Sequence, residues 1–288
     1  MTADHPYTNA AIALATMHAK AEALAPAFAT LAVSLLVPAN IDTDALGTFS
    51  GEIPRLQPPL ETAIAKARLA MATTGLPLGL ATEGSFGPDP VLGIVPVHRE
   101  VAVLVDDLHG HIVSEWRNSH ETNFASRVIG DASELDDTQL SRWGFPSHAL
   151  IVRSESDDAS RIGAIHKALR DRAALQAAIA GCVAASPLRR ARVETDMRAH
   201  LNPTRMRQIA LLGERLVERL RCRCPQCQAP GFGRVDVVIG LPCKWCGTPT
   251  AAILAEIHGC NACGGRKQVP RADGLREVDP AQCDLCNP

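Results

Sequence analysis

Eight cysteines near the C-terminus are spaced as four C-x-x-C pairs, and cysteines at this spacing commonly bind metal ions. In each pair both sulfurs can turn onto one ion, and two pairs complete a tetrahedral site of four thiolates. Such closed sites leave no open coordination position, so they are structural rather than catalytic. We therefore predict two structural zinc ions, held by Cys224, Cys227, Cys243, Cys246, Cys260, Cys263, Cys283 and Cys286.

Spacing alone leaves the pairing of these knuckles open. Fifteen residues (228–242) separate the first pair from the second, and 19 (264–282) separate the third from the fourth. Both gaps fall in the zinc-ribbon range, which favours a sequential double zinc ribbon, with an interleaved arrangement as the alternative. A further thiol, Cys222, is either a bystander or a substitute ligand for Cys224. Disulfides are the alternative to metal, and a reducing compartment disfavours them.

A second group of polar residues follows strand-like and helix-like segments in the N-terminal half. Ligands of open α/β sheets bind at the carboxyl ends of strands, so these residues are expected to converge. For each of these residues taken alone, a helix cap or a surface charge is the simpler interpretation. Together they predict a phosphate site, with two carboxylates for Mg²⁺ and cations for the phosphate. The residues are Thr16, His18, Lys20, Glu61, Lys66 and Glu83.

The elements that must position these residues alternate between strand and helix. Short apolar runs at 11–15, 33–37, 78–81, 100–105 and 149–152 predict strands, and 21–31 and 60–73 predict helices. Residues 83–90 are expected to form a loop. The alternation predicts an α/β fold, a mixed sheet flanked by helices, over residues 1–158.

Helices are predicted to continue as far as the cysteines. An Ala-rich helix is expected over 159–182, and a second over 203–220 with Asn202 as its N-cap and Pro203 at its first position. The three predicted domains are thus the α/β domain, a helical segment at 159–220 and the zinc module at 221–288.

The order of the N-terminal polar residues resembles that of the inosine-triphosphatase-like nucleotide pyrophosphatases. Those have a T-x-N-x-x-K loop, an E-x-A-x-x-K-A helix and a strand ending in acid-x-Gly, and the matching stretches here are 15–20, 61–67 and 83–84. The resemblance implies Mg²⁺-dependent hydrolysis of a nucleotide or other phosphorylated small molecule. It makes Glu61 and Glu83 the magnesium ligands, and Thr16, Lys20 and Lys66 the phosphate contacts. His18 stands where that family has Asn, the first loop is one residue shorter, and that family has no zinc module.

Over its full length the chain resembles an uncharacterised bacterial family of unknown function. The shared stretches are D-T-D-x-x-G-T-F-x-G-E at 42–52, A-T-E-G-S-F-G at 81–87 and the terminal C-x-x-C pairs. This resemblance implies no activity.

Charge and hydropathy limit the partners. The formal net charge is −2, which argues against attraction of the whole protein to nucleic acid. Residues 189–223 nevertheless contain ten arginines and four acids. The alternative function is therefore non-catalytic binding of nucleic acid or of another protein through this segment and the zinc ribbons. A solvated helix face would account for the arginines without any binding. With no apolar run of about 18 residues and no basic n-region, we expect no membrane segment and a cytoplasmic protein.

Overall fold

The computed structural model describes residues 5–47, 54, 56–157 and 163–287. It divides into two compact units. The first, which we call the cleft unit, comprises Tyr7–Val105 and Ser114–Leu216. The second, the cysteine unit, comprises Met1–Pro6, Asp106–Val113 and Val217–Pro288. The segment 106–113 thus belongs to the cysteine unit, although it is far from the cysteines in the chain.

A five-stranded sheet forms the centre of the cleft unit. Its strand order is β2-β1-β3-β4-β5, where these strands are β1 (Ala11–Ala15), β2 (Ser34–Leu36), β3 (Leu78–Pro88), β4 (Pro96–Asp106) and β5 (His111–Ser119). β1 pairs in parallel with both β2 and β3, and helix α1 (Lys20–Ala29) connects β1 to β2. A parallel pair needs such a crossover. Helix α2 (Pro59–Thr74) precedes β3. The predicted α/β class with a mixed sheet and flanking helices is confirmed.

A second, antiparallel sheet completes the cleft unit. Its order is β6-β9-β7-β8, with β6 (Ser126–Ile129), β7 (Leu150–Ser154), β8 (Ile165–Leu169) and β9 (Ala191–Thr195). Helix α4 (Arg172–Ala185) packs on it through Leu175, Ile179 and Cys182, which share a core with Leu150 and Val152. A short helix, α3, spans Asp137–Arg142.

Two secondary-structure predictions are wrong. The single helix expected over 159–182 is instead strand β8 followed by α4, while residues 158–162 lie outside the described ranges. The side chain of Asp171 accepts a hydrogen bond from the N–H of Ala174 at 2.8 Å, which starts the helix there. The loop expected over 83–90 is also wrong, because β3 continues to Pro88 and carries Glu83 in its interior.

The last long helix, α5 (Pro203–Arg221), matches its prediction closely. Asn202 Oδ1 accepts a hydrogen bond from the N–H of Arg205 at 2.9 Å, as expected of the N-cap. Among the described helices, none is long and apolar enough to cross a membrane.

In the cysteine unit, three antiparallel strands form a small sheet. They are β10 (Gly233–Ile239), β11 (Ile253–Gly259) and β12 (Arg266–Pro270), in that order. Most of their side chains are exposed or half-buried, and one apolar cluster here consists of Cys224, Ala229 and Cys260 with Phe232. So little buried apolar surface requires an additional source of stability, and bound metal is a usual one in small domains.

Candidate functional site

Five of the six predicted phosphate-site residues line one polar cleft in the cleft unit. They come from three separate segments of the chain: the β1–α1 connection with the first residue of α1, helix α2, and strand β3. Thr43 and Gly47 complete the rim, while residues 48–53 lie outside the described part of the chain. The cleft is narrow, with a cavity volume of about 10 Å³, which is about the space of one water. The five residues are Thr16, His18, Lys20, Lys66 and Glu83.

Lys20 is buried at the start of α1. Its Nζ donates hydrogen bonds to the carbonyl oxygen of Thr82 at 2.8 Å and to Thr82 Oγ1 at 2.9 Å, and lies 3.9 Å from Glu100 Oε1. Burial, then repulsion from Arg205, lowers the pKa of Lys20 to about 8. The helix N-cap, Ala19, has no side chain that could cap the first turn. A charged ammonium group and a helix N-terminus therefore lie together at the cleft.

Lys66 and Glu83 form a buried ion pair across the cleft wall. Lys66 Nζ donates to Glu83 Oε2 at 2.7 Å, and both side chains are at most 9% exposed. Since each charge neutralises the other, Lys20 supplies the excess positive charge among the described lysines and carboxylates that line the cleft.

His18 is the cleft's neutral member. Burial, followed by repulsion from Lys20 and His200, lowers its pKa to about 3. Its ring stacks on that of His200 with the centroids 4.8 Å apart. At neutral pH His18 thus offers a neutral ring rather than a second cation.

The structure does not bring Glu61 to the cleft. Glu61 is exposed in the first turn of α2 and is not among the cleft-lining residues. It precedes the buried Lys66 by five residues, which is a rotation of about 140° at 3.6 residues per turn, so the two face different sides of the helix. The structure therefore does not bring the predicted pair of carboxylates together, and Glu83 is the one carboxylate among the described residues that line the cleft.

A buried cluster next to Lys20 was not predicted from the sequence. Glu100, on β4, accepts hydrogen bonds from Arg205 Nε at 3.1 Å and Arg205 Nη2 at 3.0 Å. His98 Nε2 lies 2.7 Å from Glu100 Oε2, and its ring stacks on Phe86 at 4.4 Å. The side chains of Glu100 and Arg205 are fully buried. Glu100 lies in a strand predicted from its alternating apolar residues, and Arg205 lies in an amphipathic helix. Neither sequence pattern therefore indicated a functional site.

Alternate residues of the A-T-E-G-S-F-G stretch (81–87) contact Lys20 or this buried cluster. Alternate residues of a strand face one side of a sheet. Thr82 holds Lys20, Gly84 faces the Glu100–Arg205 pair, and Phe86 lies under His98 with the Arg205 guanidinium 5.5 Å from its ring centre. Glu83 binds Lys66 from the position between them.

We expect Gly84→Ala to destabilise the cleft unit by about 1–3 kcal/mol, the usual cost of overpacking. A Cβ at residue 84 would clash with Glu100 Oε2 and lie 2.7 Å from Arg205 Nη2. Gly87→Ala is the matched control in the same strand, since nothing lies within 4 Å of a Cβ there. Urea unfolding measures both; equal stability of the two variants would contradict the packing argument.

At least four of the ten arginines at 189–223 form ion pairs with carboxylates of the cleft unit. The pairs are Arg192–Glu155, Arg198–Asp196, Arg205–Glu100 and Arg207–Glu121. Arg219 in turn donates to the carbonyl oxygen of Gly231. The local charge excess is thus partly neutralised by the fold, which weakens its interpretation as a nucleic-acid surface.

Two groups of four cysteines in the cysteine unit could each hold a metal ion, as the spacing predicts. The sulfurs of Cys224 and Cys263 lie 3.7 Å apart and those of Cys227 and Cys260 lie 3.6 Å apart. In the second group, the sulfurs of Cys243 and Cys286 lie 3.8 Å apart and those of Cys246 and Cys283 lie 3.7 Å apart. Zn–S bonds of about 2.3 Å in a tetrahedron place sulfurs about 3.8 Å apart, so the donor geometry fits zinc.

The pairing is interleaved, and the favoured sequential pairing is wrong. The first knuckle combines with the third, and the second combines with the fourth. The hairpin explains this order: antiparallel β10 and β11 pair Gly233 with Gly259 at one end and Ile239 with Ile253 at the other. The first knuckle precedes β10 and the third follows β11, so both lie at the Gly233–Gly259 end. The second knuckle follows β10 at the Ile239–Ile253 end, and β12 brings the chain back to that end before the fourth knuckle.

Nearby hydrogen bonds favour the thiolates that metal binding requires. The side chain and backbone N–H of Thr248 lower the pKa of Cys246 to about 6. Within the same group, the hydrogen bond to Cys246 raises the pKa of Cys286 to about 12. Four crowded sulfurs therefore do not all ionise on their own, and a cation would relieve that repulsion. Cys222 is exposed and belongs to neither group.

Comparison with known proteins identifies a family without an assigned activity. The model of the domain of unknown function DUF6671 matches residues 66–288. Neither a curated protein nor a solved structure matches the chain.

Proposed function

Because the chain belongs to the DUF6671 family, whose function is unknown, we propose an activity from its own residues: the cleft unit binds the phosphate group of a small phosphorylated molecule. One observation carries this proposal. Thr16, His18, Lys20, Lys66 and Glu83 come from three separate segments of the chain and line the same polar cleft.

Charge and backbone geometry both favour an anion. Lys20 lies at the N-terminus of α1, whose first turn no side chain caps, and free N–H groups there add to the attraction. The narrow space requires the cleft to widen around a phosphate. Met17, which lines the cleft and is 48% exposed, can move for this purpose.

Magnesium does not fit the described residues of this cleft. Mg²⁺ uses one or two carboxylates together with substrate phosphates. Glu61 is elsewhere, and Glu83 is already neutralised by Lys66, with the ammonium group of Lys20 in the same cleft. The reaction proposed for this cleft therefore uses no magnesium ion.

The reaction that these groups support best is hydrolysis of a phosphate ester. A water oxygen would bond to phosphorus as the bond to the leaving oxygen breaks. Glu83 would accept the proton of the water, and the ammonium group of Lys20 would donate a proton to the leaving oxygen. The pKa of Lys20, about 8, suits a proton donor that acts near neutral pH.

We expect Lys20→Gln to weaken binding of a nucleoside monophosphate at least tenfold, about the contribution of one hydrogen bond to a charged group. Glu83→Gln should abolish phosphate release. Glu61→Gln is the matched control, since Glu61 is exposed and outside the cleft. Calorimetry measures binding and a phosphate-release assay measures turnover, with a panel of nucleotides and sugar phosphates. Failure of the whole panel to bind, or equal effects of Glu61→Gln and Lys20→Gln, would refute the proposal.

The pH dependence gives a second readout of the same site. Lys20 is charged below its pKa of about 8 and loses its charge above it. A phosphate monoester keeps its second charge above about pH 6. Above that value, affinity for the anion should therefore be highest well below pH 8 and fall as pH rises through 8. In Lys20→Gln this decline should disappear.

For the cysteine unit, we infer that both metal ions are zinc and that their role is structural. All eight donors are thiolates in closed sites, which leaves no position for a substrate. Nucleic-acid binding through α5 and this unit is the weaker alternative. Affinity for RNA or DNA that falls steeply with salt would favour it.

A further inference from the structure

A cavity of about 540 Å³ opens in the cysteine unit beside the first cysteine group. Residues 110–112 form one wall and β10 contributes to another. The remaining walls are the end of β11 with the third cysteine knuckle, which follows it, and the first residue of β12. This volume lies in the range of about 300–1,000 Å³ that is typical of small-molecule sites. Nothing in the metal-binding role of the cysteines requires such a space.

The cavity stays open because two of its walls are glycine backbone. Gly110 and Gly264 have φ angles of 67° and 73°, a region that other residues adopt at a cost. A Cβ at either position would meet nothing within 4 Å, so no neighbouring side chain fills the space in front of them. A ligand could therefore approach the main chain closely there.

Most polar groups around the cavity are already engaged within the unit. Asn261 Nδ2 donates to the carbonyl oxygen of Ile112 at 2.7 Å, and His111 Nε2 lies 3.2 Å from that of Pro230. The carboxylate of Asp106 is fully buried and held by His109 Nδ1 at 2.7 Å. These contacts position the walls, whereas His111 Nδ1 is buried with no hydrogen-bond partner among the described residues and lies 3.8 Å from Asp106 Oδ2.

Arg266 is a charged group of the cavity wall that is not engaged. It lines the cavity and is exposed, and its side chain has no hydrogen bond or ion pair with any residue in the described ranges. Its guanidinium group is a planar fork of donors that matches a carboxylate or phosphate. Ile112 and Val235 add apolar wall beside it.

We propose that this cavity binds a small organic anion. The carboxylate, phosphate or sulfonate of the ligand binds Arg266, and its apolar or aromatic body packs on Ile112 and Val235. Cys260 is in the wall as well as in the first cysteine group, so the site depends on a loaded metal centre. The proposal is independent of the phosphate cleft, because none of its residues belongs to the cleft unit.

The test uses the full-length, zinc-loaded chain and the fluorescent anion 8-anilinonaphthalene-1-sulfonate, which combines an aromatic body with a sulfonate. We expect saturable binding at one site, weakened about tenfold or more by Arg266→Gln, the effect of losing a charged hydrogen bond. Lys267→Gln is the matched control: it removes the same charge from the next residue, whose side chain points to the other face of β12.

Competition on the unmutated chain identifies the ligand chemistry without relying on a variant. Benzoate and adenosine monophosphate should displace the probe, whereas benzyl alcohol and adenosine should not. Metal content is measured for each variant, so that loss of the zinc site is not taken for loss of Arg266. Absence of saturable binding, equal effects of Arg266→Gln and Lys267→Gln, or equal displacement by the uncharged compounds would overturn the proposal.

Discussion

A chain carrying Cys227→Ser and Cys263→Ser is expected to retain one metal ion, whereas one carrying Cys227→Ser and Cys246→Ser should retain none. In the interleaved arrangement, Cys227 and Cys263 belong to one group and Cys246 to the other. The first double variant therefore damages one site and the second damages both. Sequential pairing predicts the reverse outcome for the two variants, so a metal-to-protein ratio separates the arrangements.

The consequence for folding should be large. Binding of a structural zinc contributes on the order of 10–16 kcal/mol in small zinc domains, and the cysteine unit has little apolar core to replace it. We expect the variant without metal to lose the fold of residues 217–287, seen as rapid proteolysis there. Cys222→Ser is the control, because Cys222 is exposed and outside both groups. A metal content below two in that control would show that Cys222 is a ligand after all.

How far the sequence predicted these sites depended on whether the signal was local. The C-x-x-C spacing is local, and it identified all eight ligands. The pairing was not local, because it depends on which ends of β10 and β11 lie together. The ribbon-like gaps of 15 and 19 residues pointed to the wrong combination, and recognising the hairpin at 233–259 would have corrected it.

For the cleft too, local features could be predicted from the sequence and non-local ones could not. Residues that follow strand β1, such as Thr16 and Lys20, could be placed because strand ends converge in α/β sheets. Glu61 was misplaced, because its spacing from Lys66 suited a motif but not one face of a helix. Glu100 and Arg205 could not have been paired from sequence, since they are 105 residues apart, with Glu100 in a largely apolar strand and Arg205 in an amphipathic helix. A charged residue within the apolar strand is the local sign of Glu100, and Arg205 has no such sign among the other charged residues of its helix.

The Glu100–Arg205 pair is expected to be among the most sensitive positions of the cleft unit. Removing one partner leaves the other charge buried without compensation, at a cost of about 3–5 kcal/mol. Glu100→Gln and Arg205→Met should each destabilise by that amount. The double variant should be less destabilised than the sum of the two, because no unpaired charge from this pair is left.

The measurement is urea unfolding in a Trp245→Phe background, so that Trp116 and Trp143 report on the cleft unit. Arg207→Met is the matched control on the same helix. It breaks the exposed Arg207–Glu121 pair, and exposed pairs contribute about 1 kcal/mol or less. A cost for Arg205→Met no larger than that of Arg207→Met would contradict a critical role for the buried pair.

The pH dependence of stability provides an independent check on the same carboxylate. Burial opposes ionisation of Glu100, but the charges of Arg205 and Lys20 and the hydrogen bond from His98 outweigh it, so the pKa of Glu100 lies well below its usual value of 4.5. A carboxyl with a depressed folded-state pKa stabilises above its unfolded pKa, and that stability is lost as pH falls towards the folded pKa. The unmutated protein should therefore lose stability progressively below about pH 4.5. Glu100→Gln, which has no carboxyl to protonate, should lose less over the same range, and an identical decline in both would show that Glu100 is not the titrating group.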